Sequence, residues 1–126
     1  RTMAAPNVVN VSSIYGKTTG LALTSSSQDV LTCAADKLLK VNSIIVANVD
    51  GTNNDNVTVK WYNADNTTAF SLASTVAVPA DSTLVVLGKD APIYLEEGDK
   101  IQANGVAASG DLEIIVSYEE LDDAST

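Results

Sequence analysis

Three neighbouring carboxylates, Glu96, Glu97 and Asp99, are the side chains whose types and spacing come closest to a catalytic arrangement. Glycoside hydrolases use two carboxylates that flank one cleft, one as the acid and the other as base or nucleophile. Charges that cluster on a single turn around a glycine more often face water. We therefore expect these side chains to lie on a solvated turn, and we predict no catalytic residues.

The single cysteine, Cys33, is the other candidate for covalent chemistry. The chain contains no histidine, so the Ser-His and Cys-His pairs of hydrolases cannot form, and most zinc sites lose a ligand. Without a base to activate its thiol, Cys33 is expected to be a small buried hydrophobic residue in a strand. The sequence therefore favours a protein that is not an enzyme and needs no cofactor.

Two turns rich in Asp and Asn are the candidates for a metal site, because calcium prefers hard oxygen ligands from loops. Neither turn has the spacing of an EF-hand, and Asp and Asn also cap their own backbone in ordinary turns. We favour ordinary turns and predict no metal site. The residues concerned are Asp50, Asn53, Asp55 and Asn56 in the first turn, and Asp65 and Asn66 in the second.

Composition narrows the classes of partner. The chain has 126 residues, is 45% hydrophobic and carries a net charge of −9. Such a surface repels phosphate backbones, so we expect no nucleic-acid partner. No apolar run is long enough to span a bilayer and no signal peptide opens the sequence, so we expect no membrane partner. Arg1 and Thr2 precede a Met that looks like a natural start, and are expected to be a cloning scar or a processing remnant.

The strongest structural signal lies in residues 38–62, where two apolar strands flank a polar turn and are expected to form a hairpin. Strict alternation places Ile45 on the buried face of the first strand and Ile44 and Val46 on the outer face. In the second strand, Trp61 shares the phase of two valines and is expected in the core. Its replacement by Ala should then cost about 3–5 kcal/mol.

The rest of the chain repeats this pattern at short intervals. Roughly eight strands are separated by turn residues, which predicts an all-β, single-domain antiparallel β-sandwich resembling a jelly roll. A helix over residues 30–39 is the competing interpretation, and the short stretch with Thr and Cys disfavours it. The expected organisation is an N-terminal arm (1–13), the sandwich (14–121) and an acidic tail (122–126), with residues 119–126 solvated.

Apolar residues at positions expected to face solvent are the main functional signal. Monomers rarely expose large apolar patches, so these residues predict a subunit interface and a homo-oligomer, for which a trimer is one possibility. The arm adds valines that could dock on a neighbouring subunit. The predicted interface consists of Ile44, Val46, Leu84, Val86, Ile115, Val8, Val9 and Val11.

Five stretches carry a family resemblance: PNVVNVSSIYGKTTG (6–20), VNSIIVANVDGTN (41–53), VAVPADSTLVVL (76–87), PIYLEEGDKI (92–101) and DLEIIVSYEEL (111–121). They are similar to small virion structural proteins of tailed phages that infect marine cyanobacteria and related ocean bacteria. The resemblance implies a non-enzymatic virion protein, at the capsid surface more than the tail, that decorates or cements the capsid. Its partners would be itself and the major capsid protein or other virion proteins. Two alternatives remain open: a tail, neck or fibre component that binds host glycans, and an extracellular filament subunit.

Overall fold

Nine β-strands form the part of the protein that the structure describes, which is residues 11–106 and 111–123 of a computed structural model. The described residues include no helix that is long and apolar enough to cross a membrane. The strands are β1 (Val11–Ala22), β2 (Gln28–Thr32), β3 (Lys37–Asn48), β4 (Asp55–Asn63), β5 (Thr68–Val78), β6 (Thr83–Leu87), β7 (Ile93–Leu95), β8 (Lys100–Asn104) and β9 (Leu112–Asp123).

The strands form two antiparallel sheets that pack face to face. The first sheet has the order β1-β9-β3-β6, with β7 also paired to β3, and the second has the order β2-β8-β4-β5. The chain crosses between the sheets at every connection except β4–β5 and β6–β7. This is the connectivity of a jelly roll. The predicted all-β sandwich is confirmed, with nine strands instead of roughly eight.

The core lies between the two sheets and consists mainly of β-branched and leucine side chains. The facing strands each contribute every second residue, as the pleat requires. Each sheet turns one face to the core, and the opposite face is available for contacts except where Leu38 and Leu121 on the first sheet are also buried. Among the fully buried side chains are Val41, Ile44, Val46, Ile114 and Val116 from the first sheet and Val57, Val59 and Ile101 from the second.

The predicted hairpin of residues 38–62 is wrong in its pairing, although both strands exist. β3 and β4 belong to different sheets, and the polar turn between them is a crossover. Asn48 holds this crossover in place: its side-chain amide donates to the backbone oxygens of Val78 at 2.9 Å and Asn53 at 3.0 Å, and its oxygen accepts from the Asp50 amide at 2.9 Å. Two apolar strand faces can meet across a core as well as along one sheet, and alternation alone does not separate the two cases.

The predicted outer-face positions of Ile44 and Val46 are also wrong, because both side chains are fully buried in the core. A β-bulge between Val41 and Ser43 shifts the pairing of β3 with β9. A one-residue shift moves every following side chain to the other face. Ile45 therefore faces outward, whereas the uninterrupted alternation of the sequence had placed it in the core.

The predicted interface residues of β6 lie on the core-facing side of their strand. Leu84 and Val86 are half-buried and pack against the core, whereas Val85 between them is 63% exposed. Val8 and Val9 lie outside the described residues. Val11 is the first residue of β1, and so residues 11–13 of the expected arm lie within a strand.

The acidic segment at the C-terminal end is part of the first sheet as far as Asp123. Leu121 is buried and pairs with Leu38, so the expectation that this segment is solvated is wrong for residues 119–122. Trp61 packs against the core as predicted, but it is only half-buried because β5 beside it is an edge strand.

The bulge in β3 makes a direct mutational prediction. Ile44→Ala should lower the free energy of unfolding by about 2–5 kcal/mol, because it leaves a cavity between the sheets. The adjacent Ile45→Ala, which truncates an outward side chain, should cost about 1 kcal/mol or less in dilute protein. Urea denaturation of the two variants at low protein concentration measures both values. A larger loss for Ile45→Ala would contradict the observed faces.

Candidate subunit interface

The carboxylates that looked most catalytic close one end of the sandwich and do not face water as expected. Asp99 is only 2% exposed and Glu97 is also buried. One carboxylate oxygen of Asp99 accepts from the Ala64 amide at 2.9 Å and the other from the Glu96 amide at 3.1 Å. The Glu97 carboxylate accepts from the Asp36 amide at 2.6 Å.

These carboxylates are buried because three turns meet there and bring backbone amides that need acceptors. Gly98, with φ 83°, provides the left-handed residue of the turn between β7 and β8, and its amide donates to the Cys33 oxygen at 3.0 Å. Burial, followed by the nearby charges of Asp99 and Asp65, raises the pKa of Glu96. The observed hydrogen bonds hold the turns together and give the cluster a structural role.

Cys33 is buried, as the sequence predicts, although it lies one residue past the end of β2. Desolvation of the thiol is the main cause that raises its pKa to about 12. The thiol also points its hydrogen at the Lys37 oxygen, 3.2 Å away. A thiol in this environment remains protonated at neutral pH and is therefore a poor nucleophile.

The Asp- and Asn-rich turns use their oxygens as backbone caps. Asp50 accepts from the amides of Thr52 at 2.8 Å and Asn53 at 3.2 Å, and these bonds lower its pKa. Asp55 is buried and accepts from the amides of Asn56 at 2.7 Å and Val106 at 3.0 Å. Within residues 11–106 and 111–123, no group of three or more His, Cys, Asp or Glu side chains is placed to hold a metal ion.

A small ionic cluster fastens β1 and β3 to β9. Glu120 lies 3.2 Å from the Lys17 ammonium and 3.6 Å from that of Lys37. Lys37 also forms an ion pair with Asp122, whose other oxygen accepts from the Ser13 hydroxyl at 2.9 Å. The hydrogen bonds from Lys37 and Ser13 lower the pKa of Asp122. The bond to Asp122 raises the pKa of Lys37.

The outer face of the first sheet carries an apolar row that is in register across four strands. The row consists of Gly20, Ile115, Ile45 and Val85, which are paired in that order. Ile115 is 38% exposed, and Val85 is more so. The row is flanked by small uncharged side chains and by the exposed Glu113, which pairs with Ala22 and Ala47. Gly20 leaves a shallow depression beside Ile115, which Glu113 also lines. The small flanking residues are Thr18, Ala22, Ser43, Ala47, Thr83 and Ser117.

A second apolar surface is a groove of about 290 Å³ on the side of the sandwich, between the edge strand β5 and β7. Trp61 at its base stacks on Phe70, with ring centroids 5.5 Å apart and ring planes 25° from parallel. The Trp61 indole nitrogen is buried and has no hydrogen-bond partner among the described residues. We call this surface the side groove; its lining residues are Trp61, Leu72, Pro92, Ile93 and Tyr94.

Of the predicted interface residues, Ile115 lies on the outer face as expected. Its assignment to an interface stays a prediction. Sequence reasoning missed Ile45 and Val85, because the bulge in β3 leaves no clear mark in the residue types around Asn42. It also missed the side groove, since Trp61 and Ile93 are brought together by strand crossovers. The period-two pattern of β9, which has no such bulge in this region, was sufficient to place Ile115 correctly.

Comparison with known proteins supports the fold and goes no further. No protein-family model and no curated protein matches the chain. Among solved structures, it is similar to a subunit of the disulfide-linked pili that form Bacillus endospore appendages, with 13% identity, 88% of each chain covered and a TM-score of 0.52. At this identity the match shows a shared fold only. The protein is therefore assigned to the jelly-roll sandwiches by its fold.

Two weaker similarities carry no argument, because their TM-scores are below 0.5. One is to the Drosophila NLP core, described for pentamer formation and histone binding, with 18% identity, 88% and 97% coverage and a TM-score of 0.46. The other is to a pentameric capsid protein from metagenomic phage sequences, with 16% identity, 98% and 73% coverage and a TM-score of 0.37.

The structural role of the acidic turn can be tested with Asp99→Asn. An Asn side chain has one acceptor oxygen, so one of the two backbone amides held by Asp99 should lose its partner, at a cost of about 1–3 kcal/mol. The exposed Asp65→Asn is the matched control, because it changes the same charge nearby, and should remain within about 0.5 kcal/mol of wild type. Thermal denaturation at neutral pH measures both. Equal effects would contradict a capping role.

The ionic cluster predicts an acid-sensitive contribution to stability. The pKa of Asp122 is lowered from its ordinary value of 3.8, so its ionised form stabilises the fold above that pH. This contribution should be lost as the pH falls through the lowered pKa. Lys37, with a pKa raised from 10.5, should lose its contribution only as the pH rises through that raised pKa.

Asp122→Asn should therefore be less stable than wild type at neutral pH, with a difference that shrinks towards zero in acid. Urea denaturation across a pH series measures this convergence. Asp90→Asn, an exposed carboxylate elsewhere, is the control and should show no such trend. A difference for Asp122→Asn that is constant from neutral to acid pH would rule out the ion pair as its cause.

Proposed function

We propose that this chain is a non-enzymatic structural protein of a phage particle, which decorates or cements the capsid surface through contacts with other subunits. The observation that carries the proposal is the outer apolar row of Ile45, Val85 and Ile115. Val85 and Ile115 are exposed and Ile45 between them is half-buried. Apolar side chains aligned in this way on an outer face favour a protein interaction site.

The surroundings of the row support a protein partner. Most of the flanking side chains are small and uncharged, and the one charged member of the flanking row is Glu113. Two acidic side chains lie on the same face, Glu113 directly beside the row and Glu119 farther along β9. An apolar centre with charges at its margin resembles the core and rim of protein interfaces.

The groups that could have supported an enzyme have structural roles instead. The Cys33 thiol is desolvated, and Glu97 and Asp99 accept hydrogen bonds from backbone amides. This favours a protein that acts through its surfaces. The assignment to a virion, and to the capsid within it, rests on the sequence resemblance to phage structural proteins described above.

Two other functions each have one observation in their favour. An extracellular filament subunit is favoured by the shared fold with a subunit of Bacillus endospore pili. A tail or fibre component that binds host glycans is favoured by the side groove, where Trp61 offers an aromatic face for a sugar ring. Neither accounts for the apolar row on the opposite face of the first sheet.

Quantitative mass spectrometry of purified phage particles tests the proposal. A capsid decoration protein should be present at hundreds of copies per particle, and cryo-electron microscopy should place it on the capsid with the apolar row covered. A few copies per particle would favour the tail or neck alternative. Absence from purified particles would overturn the assignment to a virion.

A further inference from the structure

We infer that copies of this chain bind one another side to side, with the β1 edge of one copy seated against the side groove and β7 of the next. This inference rests on the proposed function and specifies its self-association. The contact joins two different surfaces, so it is head-to-tail and builds a ring or a filament.

The two surfaces lie at opposite edges of the first sheet and are joined by the same cross-strand rows. β1 is one edge of the first sheet, and β7 lies at the other edge beside β6. The register of the sheet connects them directly through β9 and β3. Three cross-strand rows begin on β1 and end on β7: Tyr15, Glu120, Leu39 and Leu95; Gly16, Glu119, Lys40 and Tyr94; and Lys17, Tyr118, Val41 and Ile93.

The strand directions allow one copy to continue the sheet of the next. Each pairing along the rows is antiparallel, so β1 runs opposite to β7. Among the described residues, β1 pairs only with β9 and β7 only with β3. Strand addition at free edges of this kind is a common mode of protein recognition. A second copy placed along the rows therefore brings its β1 antiparallel to β7.

The side chains of the two surfaces are complementary in this arrangement. Tyr15 is 52% exposed and shares a row with Leu39, so it lies on the core-facing side of its sheet. In a continued sheet it would point towards the second sheet of the neighbour, opposite Leu95 and diagonal to Ile93, which lines the side groove together with Trp61 and Leu72. The aromatic ring would then cover apolar surface that the neighbour leaves open.

The outer-face side chains of the two edges are also complementary. Ile14 is 57% exposed and Tyr94 is 47% exposed, and both lie on the outer face of the sheet. Gly16 occupies the same row as Tyr94, and nothing lies within 4 Å of the position that its Cβ would take. The β1 edge therefore has room for the tyrosine ring of the neighbour beside the Ile14 side chain.

A second copy explains the exposed residues better than a glycan does. Large exposed apolar side chains occur on both sides of the sandwich: Ile14 and Tyr15 on one, Phe70 and Tyr94 on the other. A glycan in the side groove would leave Ile14 and Tyr15 uncovered. A head-to-tail contact between copies covers both sides at once.

Charge variants on the two sides, alone and mixed, test the inference. Wild type should form oligomers larger than a dimer by light scattering at micromolar concentration. Tyr15→Glu and Tyr94→Glu should each raise the concentration needed for assembly at least tenfold, because each variant lacks one of the two surfaces. Val49→Glu is the matched control: it adds the same charge at an exposed apolar residue in the β3–β4 crossover, and should assemble like wild type.

An equal mixture of Tyr15→Glu and Tyr94→Glu should form heterodimers and stop there, since one intact β1 edge meets one intact side groove. No recovery on mixing would overturn the inference. Loss of assembly in Tyr15→Glu but not in Tyr94→Glu would also overturn it, in favour of a two-fold contact between β1 edges. Circular dichroism should show that each variant remains folded.

A disulfide trap tests the register independently. The double variant Gly16→Cys/Tyr94→Cys should form a ladder of covalent oligomers under mild oxidation, because the two positions lie in one continued row. Gly16→Cys alone should form none, and its dimerisation would overturn the inference. If these tests fail while the protein is still found on the capsid, only the side-to-side contact is refuted. Absence from particles refutes the proposed function instead.

Discussion

The central strand β3 imposes the constraint on which the rest of the molecule depends. It pairs with β9 on one side and with β6 and β7 on the other, and it must bury one face against the second sheet. The bulge between Val41 and Ser43 divides the strand into two segments with opposite phase. Leu39 and Val41 are buried before the bulge, and Ile44 and Val46 after it.

This change of phase determines the composition of the outer face. Without the bulge, Ile44 and Val46 would lie outside and Ile45 would lie in the core. With it, one isoleucine is left outside, in line with Ile115 on β9 and Val85 on β6. The core gains two tightly buried side chains, and the outer face keeps a narrow apolar row instead of a broad patch. A narrow row limits non-specific association while still offering a partner apolar area.

Local patterns in the sequence predicted the elements well, whereas contacts between distant residues were beyond them. The alternation of Leu112, Ile114 and Val116 placed β9 correctly because its pleat is regular in this region. The pairing of β3 with β9, not with β4, depends on how the chain crosses between sheets. Since strand patterns state only which face is apolar, they cannot choose among partners.

The acidic turn shows the same limit for polar residues. Glu97 and Asp99 look solvated in the sequence because charges that cluster on a single turn usually face water. Their partners are backbone amides of Asp36 and Ala64, which are separated from them by tens of residues. Charge-to-amide hydrogen bonds can compensate a buried carboxylate, but residue types carry no record of where free amides will lie. The sequence therefore predicted that the candidate site is an apolar surface. Of the residues in the outer row, it placed only Ile115 on the correct face.

The two proposed contacts use different surfaces of the first sheet, one its edges and the other its outer face, and are therefore compatible. Side-to-side binding continues the first sheet through its edges, while the outer row of Ile45, Val85 and Ile115 stays free for another protein. Each copy carries a net charge of −9, so copies repel one another until apolar contact offsets the repulsion. Salt screens this repulsion over a distance of about 8–10 Å at physiological ionic strength. Assembly held by tyrosine and isoleucine contacts should therefore strengthen with salt, whereas assembly held by ion pairs would weaken.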